Sequence, residues 1–380
     1  MTFAGIGYRA PPSNIKAMTA ELPKINLLDL NRKGFEDLLV NLGQKAFHGR
    51  NLFKWIHKHG VIDFERMTDL SKGLRARLRD ETEIRLPKLL LEQPSADGTR
   101  KWVMGLADGQ HVETVFIPDG ERSTICVSSQ VGCALDCAFC ATARQGFNRN
   151  LSVGEIVGQV WHAARELGSA PTNIVMMGMG EPLANFDPVV SAMGIMQDDL
   201  AYMLSKYRVT LSTSGVVPNI YRLREVSDVS LAVSLHAPDN ALRDQLVPIN
   251  RKYPLEELLP ACKAFIAGDK RRRITWEYVM LDGVNDSVQH AKRLLRLLEG
   301  IPSKVNLIPF NPFPGTVFRV SPPDRIEAFR QRLLRGDLMA MTRKTRGDEI
   351  AAACGQLVGQ VHDRTRRLER FPTAVRAVAP

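Results

Sequence analysis

No run of apolar residues in this chain is long enough to span a bilayer, and the first 24 residues contain no apolar stretch of the kind found in secretory signals. Membrane insertion and export are therefore not expected. Cysteine is scarce: six in 380 residues cannot staple a fold of this size, and three of the six crowd into one short segment. That excludes a disulfide scaffold and makes a reducing cytoplasm the expected compartment. No short repeat and no low-complexity tract is present. Acidic residues are in the minority, 41 against 51 Lys and Arg, and the resulting net charge of +10 favours a polyanionic partner over an acidic protein surface. What remains, 44% hydrophobic and 24% charged, is ordinary for a soluble globular protein. The length suffices for one large core and a smaller accessory domain.

The stretch with the strongest chemical signal is Cys133, Cys137 and Cys140, spaced C-x3-C-x2-C, with Phe139 just before the last cysteine and no fourth cysteine nearby. Zinc ribbons present paired C-x2-C units that complete a tetrahedron. Iron–sulfur clusters also take thiolates, normally four. Three closely spaced thiolates would bind three irons of a cubane and leave the fourth iron open to a small molecule. A zinc knuckle with a remote fourth ligand, or cysteines that merely fill a core, remain the alternatives. They predict a colourless protein, whereas a cluster predicts a brown one.

Taken in order, residues 1–24 mix Gly, Pro and Ala without periodicity and read as a loose tail. Residues 25–90 read as a small basic helical domain. Phe35, Leu38, Leu39 and Leu42 fall at helical spacing before Gly43; Leu52, Trp55 and Ile56 mark a second helix, and Leu74 and Leu78 a third. From Lys45 to Lys88 there are eleven Lys or Arg against six Asp or Glu. Such a run is usually a solvated face, but beside a catalytic core it is also a candidate RNA contact. Three Asp-Gly pairs, at 97–98, 108–109 and 119–120, separate β-prone runs at 89–92, 102–106, 111–117 and 124–128. Asp-Gly favours hairpin turns because both residues tolerate positive φ, so residues 91–118 read as a β-meander leading to the cysteines. Within residues 119–355, Ser152 and Glu155 form a capping box at the head of a helix running to about Leu167. Strands are then expected at 173–177, 208–212, 230–235, 274–280, 305–309 and 338–343, with helices between them, notably at 255–267 and 287–298. Repeated β-α units of this length imply an α/β fold with a parallel sheet curled into an incomplete TIM-like barrel of about six units. Its ligand site belongs at the carboxyl ends of the strands. Residues 356–380 read as a helix end and a basic tail.

The cysteine motif resembles the signature of radical S-adenosylmethionine (SAM) enzymes, in which the open iron chelates the amino and carboxylate groups of SAM. With the flanking segments 128–133 and 145–150, the chain is similar to the dual-specificity adenine-C2 methyltransferases of 23S rRNA and tRNA, from about Leu27 to about Arg366. The resemblance implies the radical SAM barrel with its N-terminal helical accessory domain. It implies a [4Fe-4S] cluster on Cys133, Cys137 and Cys140. It also implies SAM contacts at Gly180 and Glu181 in the Gly-rich turn 176–182, and at Ser212, Ser234, Leu235, His236 and Asn311. Without it, the turn would be a weak signal and His236 would read as a packed core histidine. Glu113, by strand alternation a solvent-facing carboxylate, becomes an acid–base residue. Cys126 and Cys354, each otherwise an inert buried thiol, become a functional pair, while Cys262 stays a small hydrophobe on an amphipathic helix.

The chemistry implied by the family answers a specific difficulty. Adenine C2 lies between two ring nitrogens and is too electron-poor to attack a methyl cation donor. In that scheme Cys354 takes a methyl from one SAM. A radical generated from a second SAM removes a hydrogen from that methyl, and the carbon radical adds to C2. Glu113 removes the C2 proton, and Cys126 attacks Cys354 to release methylated RNA and leave a disulfide. The target base must be extruded from paired RNA. Residues 270–273 and 364–370 are further candidate phosphate contacts. The implied partners are 23S rRNA, tRNA and an electron donor, with no membrane and a monomeric enzyme. Two other readings stand beside this one: methylation of C8 on the same rRNA adenosine, and a non-catalytic RNA-binding protein with a structural metal.

Overall fold

Residues 274–280 are buried from end to end, as a strand must be when helices cover one face of a curled parallel sheet and the barrel interior lies against the other. In the computed structural model, which describes residues 24–359, 361–365 and 367, this strand is β8 of a ten-stranded sheet. The expected tail at the amino end lies outside the described residues, apart from Lys24.

The sheet is built in chain order. Three antiparallel strands, β1 (Lys88–Pro94), β2 (Arg100–Gly105) and β3 (His111–Asp119), lead to β4 (Arg122–Cys126). Then follow β5 (Asn173–Met176), β6 (Val209–Thr213), β7 (Ser230–Ser234), β8 (Ile274–Met280), β9 (Ser303–Pro309) and β10 (Met339–Thr342). The Asp-Gly turns form as expected, with Gly98, Gly109 and Gly120 at φ of 82°, 80° and 60°. The run at 124–128, which follows the meander, contains the end of β4, and β4 pairs antiparallel with β3 and parallel with β5. One strand thus joins the meander to the barrel, and the parallel part holds seven strands. From β10 to β1 the order does not close, which is the incomplete barrel.

Helices alternate with the parallel strands: α4 (Val153–Leu167), α5 (Phe186–Gln197), α6 (Val217–Val226), α7 (Leu255–Ile266), α8 (Val288–Leu297) and α9 (Pro323–Leu334). The Ser152–Glu155 capping box is complete, and Gly168 ends α4 in the left-handed region. The amino-terminal helices are α1 (Arg32–Asn41), α2 (Ala46–His57) and α3 (Lys72–Glu81), the first and third capped by the Asn31 and Ser71 side chains. Phe35 and Phe53 meet edge to face at 5.4 Å in their shared core. This unit is docked onto the barrel. Trp161 on α4 donates to the Ile56 carbonyl at 3.1 Å, Gly154 N donates to Asp29 at 2.7 Å, and Arg32 pairs with Asp198 and Asp199. The buried apolar residues run without a break from Leu27 to the sheet. Deleting residues 1–90 would therefore uncover α4 and cut into β1, so the helical unit is better tested by changing its surface. No helix of the described residues is long and apolar enough to cross a membrane.

Candidate active site

The cysteine loop hangs from a small antiparallel pair, Gln130–Gly132 against Phe147–Asn150, just past the carboxyl end of β4. Cys133 N donates to the Gly146 carbonyl at 2.8 Å. The Gln130 carboxamide oxygen accepts from Ala134 N at 3.1 Å and from Glu181 N at 3.0 Å, tying the loop to the turn after β5. That approach requires glycine. Gly180 has φ of 104°, and a Cβ there would lie 2.6 Å from the Gln130 Cβ.

Cys133, Cys137 and Cys140 line one cleft at the carboxyl ends of the strands, together with Gly180, Glu181, Ser212, Ser234 and His236. Burial drives all three thiols upward, Cys137 to about 12, and mutual repulsion adds to the shift at Cys133 and Cys137. Among the described residues no three Cys, His, Asp or Glu side chains converge as ligands of a single ion. A cubane asks for something else, since each thiolate binds a different iron. Three sulfurs spread around one cleft, with open space on one side, fit such a cluster.

The other expected residues divide. Glu181 is buried and accepts from Leu183 N at 3.0 Å and Ser214 N at 2.8 Å, and burial raises its carboxyl. His236 sits at φ of 58°, a strained position for a residue other than glycine. It is held there by Val279 N donating to Nδ1 at 3.0 Å and by Asn285 donating to its carbonyl at 2.9 Å. Its ring meets Phe139 edge-on at 4.4 Å, and burial lowers its pKa to about 3, so the imidazole stays neutral. Leu235 is fully buried and does not line the cleft; its N donates to the Glu277 carbonyl at 3.0 Å. Asn311 lines a neighbouring cavity and donates to the Cys354 carbonyl at 3.1 Å. Cys126 lines that second cavity, and Cys354 stands in the wall shared by both. Cys262 is fully buried on α7.

Glu113 lines neither cavity. It is buried on β3, 3.1 Å from Lys101, and accepts from Val358 N at 2.9 Å, while Lys101 donates to the Ala351 carbonyl at 3.4 Å. The pair clamps both ends of the segment that carries Cys354. Burial raises the Glu113 carboxyl, and Lys101 opposes the shift.

The described residues 355–359 and 361–365 form an irregular strap along the cysteine loop; Arg367 is helical, and residues 368–380 of the expected basic tail lie outside the described residues. Ala141 N donates to the Gly355 carbonyl at 2.8 Å, Thr142 to the Leu357 carbonyl at 2.7 Å, and Asn148 to the His362 carbonyl at 2.6 Å. Arg367, expected among the phosphate contacts, is buried. It donates to the carbonyls of Cys133, Leu135 and Ala143 at 3.0, 2.8 and 2.9 Å and pairs with Asp136. Replacing it with Met leaves those carbonyls unpaired, a loss of about 1–3 kcal/mol for each one that water cannot reach. A lower melting temperature and less iron per chain are expected, measured by calorimetry and metal analysis. If both stay unchanged, Arg367 does not hold the loop. Residues 270–273 precede β8 and so lie at the amino ends of the strands, away from the cleft. There Arg272 is tied to the Val229 carbonyl at 2.7 Å. A further cleft-supporting residue gave no signal in the sequence. Arg243, fully buried, joins β6 to β7 by donating to the carbonyls of Ser214, Ser234 and Leu235 at 2.7, 3.1 and 3.2 Å.

Residues 25–84 match the family "Ribosomal RNA large subunit methyltransferase N-terminal domain", and residues 127–295 match the "Radical SAM superfamily". The dual-specificity RNA methyltransferase RlmN of Alkalilimnicola ehrlichii is 61% identical over 350 residues, covering 91% of this chain and 97% of that protein. The chain belongs to the RlmN family. Another protein of that name, from Francisella tularensis subsp. mediasiatica, is 54% identical over 92% of this chain and 96% of its own length. The crystal structure of a radical SAM methyltransferase from Sphaerobacter thermophilus superposes with a TM-score of 0.82 at 44% identity, covering 88% of this chain and 99% of that one. RlmN-family membership makes the protein a radical SAM RNA methyltransferase using a [4Fe-4S] cluster and SAM. All of the residues expected to hold the cluster and SAM, Asn311 excepted, fall within the radical SAM match, whereas Glu113, Cys126 and Cys354 lie outside it.

Proposed function

We propose that this enzyme methylates C2 of one adenosine in 23S rRNA and in tRNA, with Cys354 carrying the methyl group, Cys126 resolving the covalent adduct and Glu113 taking the C2 proton. One observation carries the reading: Cys354 stands in the wall between the cleft of the three cysteines and the cavity that holds Cys126. A sulfur placed there can face SAM on one side and a second thiol on the other. Cys133, Cys137 and Cys140 hold the cluster, which when bound supplies the electron that cleaves SAM. Gly180, Glu181, Ser212, Ser234 and His236 line the space left for SAM. Leu235 serves that wall through its backbone, and Asn311 through its grip on Cys354. Glu113 is reached by the reacting base when the Val358 segment lifts away. The enzyme acts as a monomer in the cytoplasm with a one-electron donor.

The test is mass spectrometry of nucleosides from rRNA and tRNA of a strain lacking the gene, with and without complementation. Loss of 2-methyladenosine from both RNAs, restored by the wild type and not by Cys354→Ala, is expected. Loss of 8-methyladenosine would overturn the C2 assignment.

The helical unit supplies phosphate contacts in this reading, though fewer than its composition implies. Arg50 pairs with Glu36, Arg75 and Arg79 with Glu65, Arg77 with Glu81, and Arg85 with Glu83. Lys45, Arg66 and Lys72 are exposed, and none is in an ion pair among the described residues. Replacing these three with Ala should weaken RNA binding. It should also flatten the dependence of log affinity on log salt by about 0.7–0.9 per lost contact. An unchanged slope would remove this surface from the binding site.

A further inference from the structure

Arg343, the residue after β10, is the only cation among the described residues that lines both cavities. Glu181 and Glu277 are the charged side chains sharing the cleft with it, and Lys344 and Arg346 share the second cavity. Arg346 already faces Asp97 at 3.8 Å. The Arg343 guanidinium donates to the Cys354 sulfur at 3.5 Å, and the same nitrogen stands 3.8 Å from Glu277. Glu277 is buried on β8. One of its oxygens accepts from Asn306 at 2.8 Å, and the other has no hydrogen bond and faces Arg343. The Arg343 backbone is pinned by its N donating to the Leu307 carbonyl at 2.8 Å. The guanidinium is therefore anchored at its base, balanced by a buried carboxylate, and aimed at a sulfur.

We propose that Arg343 is a catalytic residue that favours negative charge on the Cys354 sulfur for methyl transfer and then on the Cys126 sulfur for resolution, with Glu277 as its positioning residue. The inference rests on the carrier and resolving roles proposed above. In the first step a Cys354 sulfur lone pair forms the S–CH3 bond and the sulfonium S–CH3 bond of SAM breaks. The pair goes to S-adenosylhomocysteine, and the thiol proton has already gone to solvent, since an arginine that donates to the sulfur cannot accept it. Cys354 is then a neutral thioether and no longer a charged partner for Arg343. The cation becomes free to serve the thiol of Cys126 in the second cavity, which Arg343 also lines. In the second step the Cys126 sulfur bonds to the Cys354 sulfur and the Cys354 S–C bond breaks. Its electron pair passes to carbon, which gains a proton and becomes the product methyl; the two sulfurs are oxidised as the carbon is reduced. Burial pushes the Cys126 thiol up to about 12, with Cys354 adding to the shift and Arg343 opposing it.

The test uses the reconstituted holoenzyme and reads Cys354 by peptide mass spectrometry in two ways, methylation by isotopically labelled SAM and alkylation by iodoacetamide. Arg343→Met should slow both by roughly tenfold to a hundredfold, the span expected for one lost charge-assisted hydrogen bond. Arg343→Lys should recover most of the loss, because the charge remains. Glu277→Gln should speed alkylation, because the guanidinium is no longer shared with a carboxylate. The Arg343→Met chains that do become methylated should retain more covalently bound RNA than the wild type. If Arg343→Met proves unstable, the Lys and Gln variants decide the matter: alkylation slowed equally in both would make the pair merely structural and overturn the proposal. Methylation and alkylation of Arg343→Met within twofold of wild type would do the same. If wild-type Cys354 gains no methyl at all, the carrier role itself falls.

Discussion

Cys126→Ala protein should emerge from cells covalently bound to RNA. Cys126 is buried at the carboxyl end of β4 and opens on the cavity behind Cys354. Methyl acceptance by Cys354 and addition of its carbon to the base do not use the Cys126 sulfur, so both proceed in the variant. In the proposed mechanism release does use it, so the adduct should accumulate. Were Cys126 only a core residue, the substitution would cost about 1 kcal/mol and leave turnover nearly unchanged. Denaturing electrophoresis with and without ribonuclease separates the cases. A band that shifts with ribonuclease is expected for Cys126→Ala and absent from both Cys354→Ala and the double variant, because without the carrier sulfur no adduct forms. Cys126→Ala protein free of RNA and methylating through many turnovers would remove Cys126 from the mechanism.

With Cys133, Cys137 and Cys140 as the proposed cluster ligands, replacing any one with Ala should abolish iron retention and cleavage of SAM. The chain should still fold. The loop is held independently of its sulfurs by Gln130, by the Gly146 carbonyl and by Arg367. Colourless, monodisperse protein with a near-normal melting temperature is therefore expected, together with no 5′-deoxyadenosine under reducing anaerobic conditions. Cys262→Ala supplies the control, because that sulfur is fully buried on α7 away from the cleft and should leave iron content unchanged. A cluster-cysteine variant with full iron and normal SAM cleavage would refute the ligand assignment.

What the sequence determined by itself is whatever depends on neighbours along the chain. Three thiols within eight residues share one loop whatever the rest of the fold does, and Asp-Gly turns and the Ser152–Glu155 box express backbone preferences that act over two to four residues. The strand and helix alternation after residue 173 was legible for the same reason: apolar periodicity is a local property. Only the tertiary structure decided which distant groups share a wall. Arg367 lies 234 residues from the Cys133 carbonyl it holds, and Cys354 and Cys126 come from opposite ends of the barrel sequence to face one cavity. The role of β4 in both the meander and the barrel follows from its two different pairings, which its five residues cannot encode alone. Basic segments were the least legible. A lysine or arginine that binds phosphate and one that satisfies buried carbonyls look alike in a sequence, because the same long cationic side chain with several donors serves both purposes, and burial, a property of the folded whole, tells them apart.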